Sequence, residues 1–258
     1  MNADKPSAMS PGLSQMLEAD DYTLERLSPN SNGYYYLHLV DLRQAIAPFA
    51  TSKAIRILDY GCGGSPYRSL FPNSEYVRAD FTPCKGLDFI LPADSTVPMR
   101  EGAVEMVIST QVLEHVPNPA HYVAECFRVL KPGGSLLLTT HGVFHDHGCP
   151  YDFQRWTADG LRRLIEESGF RVDEVKKLTC GPRALCSLIH QGISTLRAPK
   201  TSFFGFCLWG FRGLWRIAPG WLNRAADRYF AKHAIVDAKD PHAILYVALL
   251  VHATRPVL

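Results

Sequence analysis

An α/β protein with a doubly wound, mostly parallel sheet is predicted by three features of the sequence. Short apolar runs alternate with stretches of helical periodicity from residue 55 to residue 178, which is the rhythm of βαβ units whose sheet is covered on both faces. The first run, Ile55 to Leu58, stops at an acid and three close glycines, "DYGCGG", as a buried strand does when its tip leaves room for a ligand. A hydrophobic share of 47% over 258 residues supplies a core large enough for one elaborated domain.

The elements follow in order. Residues 34–49, "YYYLHLVDLRQAIAPF", carry apolar residues at helical spacing and read as a helix preceding the first strand. Strands are expected in "IRILDY", "EYVRADF", "VEMVIST" and "GSLLLTTH". Between the last two lies a helix with Asn118 as its cap and Pro119 at its first position. Val123, Cys126, Phe127 and Leu130 form its apolar face, and "KPGG" ends it. A further helix starts after Thr157, buries Leu161, Leu164 and Ile165, and stops at Gly169, followed by the strand candidate "RVDEVKKL". Residues 180–240 break the rhythm with an aromatic, basic, helix-like stretch. A long apolar strand returns between Ala243 and Ala253, so the stretch reads as an insertion between the last two strands.

Lysine and arginine total 27 against 25 acids, a formal net charge of +2, which gives no field that would argue for a nucleic-acid partner. The seven cysteines are spread widely without a C-x-x-C pair, disfavouring a disulfide framework and a zinc knuckle and pointing to a reducing cytoplasm. The N-terminal residues show acids and prolines in place of an apolar secretory core, and the first ten or so are expected to be disordered. No apolar run reaches the roughly 20 residues of a membrane-spanning helix; the closest, "FFGFCLWGF", ends at Arg212.

Two ligand classes favour a strand followed by a glycine loop. A dinucleotide loop wants G-x-G-x-x-G, and Gly61 and Gly63 supply the first two glycines, but the third position is Pro66. A phosphate-binding G-K-[ST] does not follow either. What remains is D-x-G-x-G, with Asp59 at the first strand tip and Asp80 at the end of the second strand. An acid in the latter place can accept hydrogen bonds from both hydroxyls of a ribose lying across the strand ends. Asp59 adds an anion that favours a cationic or hydrogen-bond-donating ligand, and sulfonium and α-amino groups fit that description.

With those residues the chain resembles the class I S-adenosylmethionine-dependent methyltransferases, in the small-molecule group often called type 11. "ILDYGCGGSPY" is similar to that family's first motif, "YVRADF" to its ribose-binding acid, and the stretch from "ADSTVPM" through "KPGGSLLLTT" to its middle motifs. The likeness covers about residues 50–178. It implies a Rossmann-like methyltransferase fold whose terminal strand is antiparallel, with S-adenosyl-L-methionine as cofactor. It also implies a cofactor-binding set of Asp59, Gly61, Cys62, Gly63, Asp80 and Phe81, with Asp94 and Ser95 beside the adenine and Gln111 near the methionine part. One departure is "SPYRSLFP", too short for the long first helix of many members. A subgroup with a G-C-G-x-x-P-Y loop has the same short feature and a downstream H-x-x-P-x-D-[FY]-x-R-[YFW]-T signature, matched here by "HGCPYDFQRWT". Its members are often associated with sugar or cell-surface glycan biosynthesis.

The resulting organisation is a flexible segment over 1–30, a cofactor-binding methyltransferase core over 31–179, a helical insertion over 180–240 and the terminal strand of the core sheet over 241–258. The run 141–152, "HGVFHDHGCPYD", places histidines and acids just beyond a strand's C-terminal end, where ligands of open α/β sheets sit. His145, Asp146 and His147 lie nearly adjacent without a helix to fix them on one face, so no metal site is assigned. His147 is expected to take a proton from an acceptor hydroxyl, with His145 as second choice. Asp152 and Arg155 are expected at the substrate, or paired with each other to fix the loop. Glu114 reads as a structural residue that holds its loop.

Trp209, Trp215 and Trp221, interleaved with Arg212 and Arg216, suit either a lid over the acceptor or peripheral membrane contact through 203–221. "STQVLEHV" lacks the [DNS]-P-P-[YFW] motif of many nucleobase amino-group methyltransferases, which disfavours a nucleic-acid substrate. The expectation is oxygen methylation of a small-molecule or lipid-linked acceptor such as a sugar or glycolipid intermediate. Carbon methylation of a quinone or other lipid, and a non-catalytic cofactor-binding partner subunit, are the alternatives.

Overall fold

The computed structural model describes residues 24–148, 150–196, 202–215 and 219–257. The N-terminal residues expected to be disordered, together with Arg216, lie outside them. The described residues form an eight-stranded sheet of order β3-β2-β1-β4-β5-β8-β6-β7. Its strands are β1 (Arg56–Tyr60), β2 (Glu75–Asp80), β3 (Phe89–Ile90), β4 (Val104–Thr110), β5 (Leu130–His141), β6 (Arg171–Cys180), β7 (Ile235–Asp237) and β8 (Tyr246–Thr254). Strands β1 to β5 pair in parallel. The terminal strand β8 runs antiparallel between β5 and β6, as the family likeness implies, and β7 closes the edge antiparallel to β6. Strand β7 comes from within the stretch read as a helical insertion.

Alternation along the strands sorts the apolar side chains onto two covered faces. Ile57, Met106, Ile108, Leu137 and Leu250 pack with Leu42, Ala45 and Ile46 of α1 (Tyr36–Ile46). Their neighbours Leu58, Val107, Leu136, Leu138 and Leu249 pack on the opposite face, against Val123 and Cys126 of α2 (Pro119–Val129) and Leu161 and Ile165 of α3 (Ala158–Glu167). Each such side chain removed from water contributes about 1.5–3 kcal/mol, so slipping any central strand by one residue would exchange the two faces and forfeit both.

The expected caps are present. Asn118 Oδ1 accepts from His121 N (3.2 Å), and Thr157 Oγ1 accepts from Gly160 N (3.1 Å). "KPGG" does not separate helix from strand: Leu130 already pairs with Val104, and the register slips before Ser135 joins Met106. "SPYRSLFP" holds a single short 3-10 turn, Arg68–Leu70. The stretch after β6 supplies α4 (Pro182–Thr195), α5 (Phe203–Trp215) and α6 (Pro219–Phe230).

A buried ion cluster ties α4 and α6 to α1. Arg183 of α4, 1% exposed, donates through Nη2 (2.6 Å) and Nε (3.1 Å) to Asp41 of α1, and through Nη1 to Asp227 of α6 (2.7 Å). Asn223 of α6 also donates to the carbonyls of Ser31 and Gly33. Burial pushes the Asp41 carboxyl up to about 6 although Arg183 opposes it.

Candidate active site

The strand order reverses between β1 and β4, and there the carboxyl ends of neighbouring strands diverge to leave a crevice. A cleft of about 370 Å³ opens at that point. Gly61 and Gly63 after β1, Asp80 and Phe81 at the end of β2, and Gln111 after β4 stand on its wall. Gly61 has φ +78°, and a Cβ there would lie 2.5 Å from Val112 Cγ1, so only glycine lets the loop pass.

Asp80 organises the loop. Its Oδ2 accepts from Gly63 N (2.9 Å) and its Oδ1 from Thr82 N (2.9 Å), and each oxygen keeps a further lone pair for a ligand. Asp59 lies deeper, 3% exposed, with Oδ2 accepting from Tyr76 Oη–H (2.9 Å). Burial pushes its carboxyl up to about 7; hydrogen bonds from Tyr76 and Ser65 and the charge of Arg78 draw it back only in part. Cys62 is buried within the loop, its thiol raised by burial and by neighbouring Asp59. Gln111, at φ +57°, holds a strained backbone of the kind found at functional sites. Its Nε2 donates to Thr139 Oγ1 (3.1 Å), and its buried Oε1 has no hydrogen-bond partner.

The far end of the cleft is walled by five histidines, His38, His115, His141, His145 and His147, with Tyr35 and Phe144 between them. His141 stacks on Phe144 with ring centroids 3.9 Å apart. Burial lowers His38 to about 3, assisted by Arg26 and His147. His147 falls to about 4 through burial and the neighbouring His115, against the pull of the His145 carbonyl and Asp152. His145 is oriented through Nδ1, which donates to Gln191 Oε1 (2.9 Å), while its Nε2 faces Tyr35 Oη (3.4 Å).

Asp152 and Arg155 are brought together as a brace behind this wall and do not line the cleft. Arg155 Nη1 and Nη2 each reach Asp152 at 2.5 Å, Nη2 also donates to the carbonyl of His145 (2.7 Å) and Nε to that of Phe144 (3.2 Å). Burial alone would raise the Asp152 carboxyl, but Arg155 and the His147 N–H (2.8 Å) bring it down to about 2. Asp94 and Ser95 also stand outside the cleft wall. Asp94 is exposed, with Oδ1 accepting from Thr96 N (3.0 Å), and Ser95 takes the Tyr60 hydroxyl on its carbonyl. Glu114 is fully buried, as its structural reading implies: Oε2 accepts from Thr140 Oγ1 (2.7 Å) and its carbonyl from Phe153 N (2.8 Å).

Sequence reasoning missed Tyr35, His38 and His115 as wall residues. Tyr35 and His38 come from the entrance of α1, and only the polar and aromatic residues among its apolar ones signalled a second use.

Comparison with known proteins gives this geometry its family. A family model described as a methyltransferase domain matches residues 32–175. A Mycolicibacterium smegmatis protein named as an S-adenosylmethionine-dependent methyltransferase is 34% identical over 84 residues, 30% of this chain and 33% of its own length. A Burkholderia pseudomallei ubiquinone biosynthesis O-methyltransferase is 25% identical over 168 residues, 50% of this chain and 70% of its own. The chain thus spans about a third of the first relative. Among solved structures, a chain from the complex of the Haloferax volcanii Trm112 methyltransferase activator with a methyltransferase superposes with TM-score 0.54 at 16% identity, over 97% of this chain and 100% of that one. That last likeness concerns the fold alone. With the strand order and the glycine loop, the family match settles the assignment: the chain belongs to the class I S-adenosylmethionine-dependent methyltransferases.

Proposed function

We propose that the protein transfers a methyl group to a hydroxyl oxygen of a small-molecule acceptor, such as a sugar or glycolipid intermediate. The observation that carries this reading is the histidine wall set in the same cleft as the glycine loop. A hydroxyl must shed a proton as its oxygen attacks, and imidazoles beside it are suited to receive that proton.

The residues present fit the cofactor. Gly61 and Gly63 allow close backbone approach, Asp80 offers paired lone pairs to a ribose, and the partnerless Gln111 Oε1 waits for a donor such as an α-amino group. When bound, S-adenosylmethionine supplies a methyl carbon made electrophilic by its sulfonium, and the electron pair of the broken carbon–sulfur bond stays on sulfur. The chain's own work is alignment and proton removal. His145 suits the second task, because Gln191 Oε1 can only accept, which puts the proton on Nδ1 and makes Nε2 the acceptor, at present facing the Tyr35 hydroxyl (3.4 Å). His147 lines the same wall. The activity in the Burkholderia relative's name, oxygen methylation, supports the choice of oxygen over carbon.

A lipid-linked acceptor is favoured by a separate observation. On α5, Phe203 is 85% exposed, with Phe206, Trp209 and Phe211 exposed along the same helix, and Trp221 of α6 is 69% exposed. Aromatic side chains gathered so are suited to an interface with lipid. Among the described residues no helix is long and apolar enough to cross a membrane, so contact of this kind would be peripheral.

The test is incubation with methyl-labelled S-adenosylmethionine and either soluble sugar fractions or extracted envelope lipids, with Asp80→Ala as control. A labelled methoxy group, absent in the control, is the expected product. A methyl on carbon refutes the oxygen reading, and cofactor binding without transfer to any fraction favours the partner-subunit alternative.

A further inference from the structure

The turn after β4 and the loop after β5 bring Glu114, His115 and His147 together, although the two segments are far apart in the chain. One ligand-capable atom from each lies within 4.8 Å of the others, and the two imidazoles meet edge to face at 4.9 Å.

The tautomers are fixed from outside the cluster. His115 Nδ1 lies 2.6 Å from the carbonyl of Tyr151, and His147 Nδ1 lies 3.3 Å from that of His145 and 3.4 Å from Asp152 Oδ2. A carbonyl only accepts, so both Nδ1 atoms carry the proton and both Nε2 atoms present lone pairs. Metal-bound histidines are held in this way, with the outer N–H on a carbonyl or carboxylate. Glu114 gives the second, independent sign. Its side chain is fully buried, yet Oε1 has no hydrogen-bond partner. His141 Nε2 stands 3.2 Å from that oxygen but outside hydrogen-bond geometry. A buried carboxylate oxygen without a donor is costly, and a cation removes the cost.

We propose that Glu114, His115 and His147 form a site for a divalent cation of the zinc type at the histidine end of the cleft. Two imidazoles with one carboxylate suit zinc and its transition-metal neighbours; magnesium and calcium prefer oxygen alone. In a tetrahedral site two bonds of about 2.1 Å hold their ligand atoms about 3.4 Å apart, so the three side chains must draw inward on binding. Three protein ligands leave a position open toward the cleft. An acceptor hydroxyl bound there would lose its proton more readily, passing it to Nε2 of His145. That role rests on the oxygen-methylation reading; the binding of the cation does not.

The experiment titrates metal-stripped protein with Co²⁺ alone, followed by calorimetry and by the visible absorption of the bound ion. Wild type and His145→Gln are expected to bind one Co²⁺ per chain with a tetrahedral-type band. His115→Gln and His147→Gln, at half-buried wall positions that the core does not depend on, are expected to bind at least about tenfold more weakly at an unchanged melting midpoint. No binding by wild type, or equal binding by the His115 and His147 variants, overturns the site. Methyl transfer is measured separately: Co²⁺ binding without a methoxy product keeps the site and removes the oxygen reading, whereas a methoxy product without Co²⁺ binding does the reverse.

Discussion

Replacing Asp59 by asparagine isolates what an acid at the first strand tip costs the fold. The side chain is 3% exposed and accepts hydrogen bonds from Tyr76 and Ser65, of which an asparagine Oδ1 can still take that of Tyr76. A carboxyl held at about 7 in the folded chain against 3.8 in the open one corresponds to ~4 kcal/mol, at about 1.36 kcal/mol per tenfold in proton affinity. The sign follows from proton counting: between those pH values the folded chain binds the proton and the unfolded chain does not, so stability falls as pH rises through that window. This contribution is complete below pH 4 and lost above pH 7. The assay is urea unfolding of both proteins from pH 4.5 to 8. Near pH 4.5 the two should be similar, and by pH 8 the variant should have gained ~3–4 kcal/mol relative to wild type. A stability difference independent of pH, or one that grows in wild type's favour as pH rises, would refute the reasoning.

Four further outcomes are expected. Asp80→Asn removes charge from an acceptor of two backbone N–H bonds and should weaken S-adenosylmethionine binding by about 2–3 kcal/mol, a 30- to 150-fold rise in Kd by calorimetry. Arg183→Met strands the buried Asp41 carboxylate and should cost about 3–5 kcal/mol in urea unfolding near neutral pH, with much of the loss recovered by adding Asp41→Leu. Gly61→Ala forces a Cβ against Val112 at positive φ and should lower the unfolding free energy by about 1–3 kcal/mol and weaken cofactor binding as well. Thr157→Ala removes the cap of α3 and should cost about 1 kcal/mol of stability without changing cofactor affinity.

What could be read in the sequence was what is local. The Ile57/Leu58 alternation, the glycines that follow, and the acid ending the next run each fit within a few residues, and there the structure places a strand, a loop and the Asp80 anchor. Asp94 and Ser95 entered only through family likeness, and their loop holds them off the cleft wall, tied to Thr96 and Tyr60. Arg155 could be read two ways because a guanidinium suits either an acceptor or a neighbouring acid; the loop carbonyls it collects are visible only once the chain is folded. Strands β3 and β7 are too short for a period-two pattern to show. The pairing of Asp41 with Arg183 crosses 142 residues, and nothing local announces it. His38 was concealed by its company, since its flanking leucines explained the helix without it.

Helix α1 lends its entrance, through Tyr35 and His38, to the cleft wall, and a turn later lends Asp41 to the cluster gripping α4 and α6. It is therefore a common beam between two rooms. Because Asp41 follows His38 by three residues on one helix, a shift of α4 or α6 that moved Asp41 would move that side of the cleft wall with it, so the helices after β6 and the wall share one mechanical part.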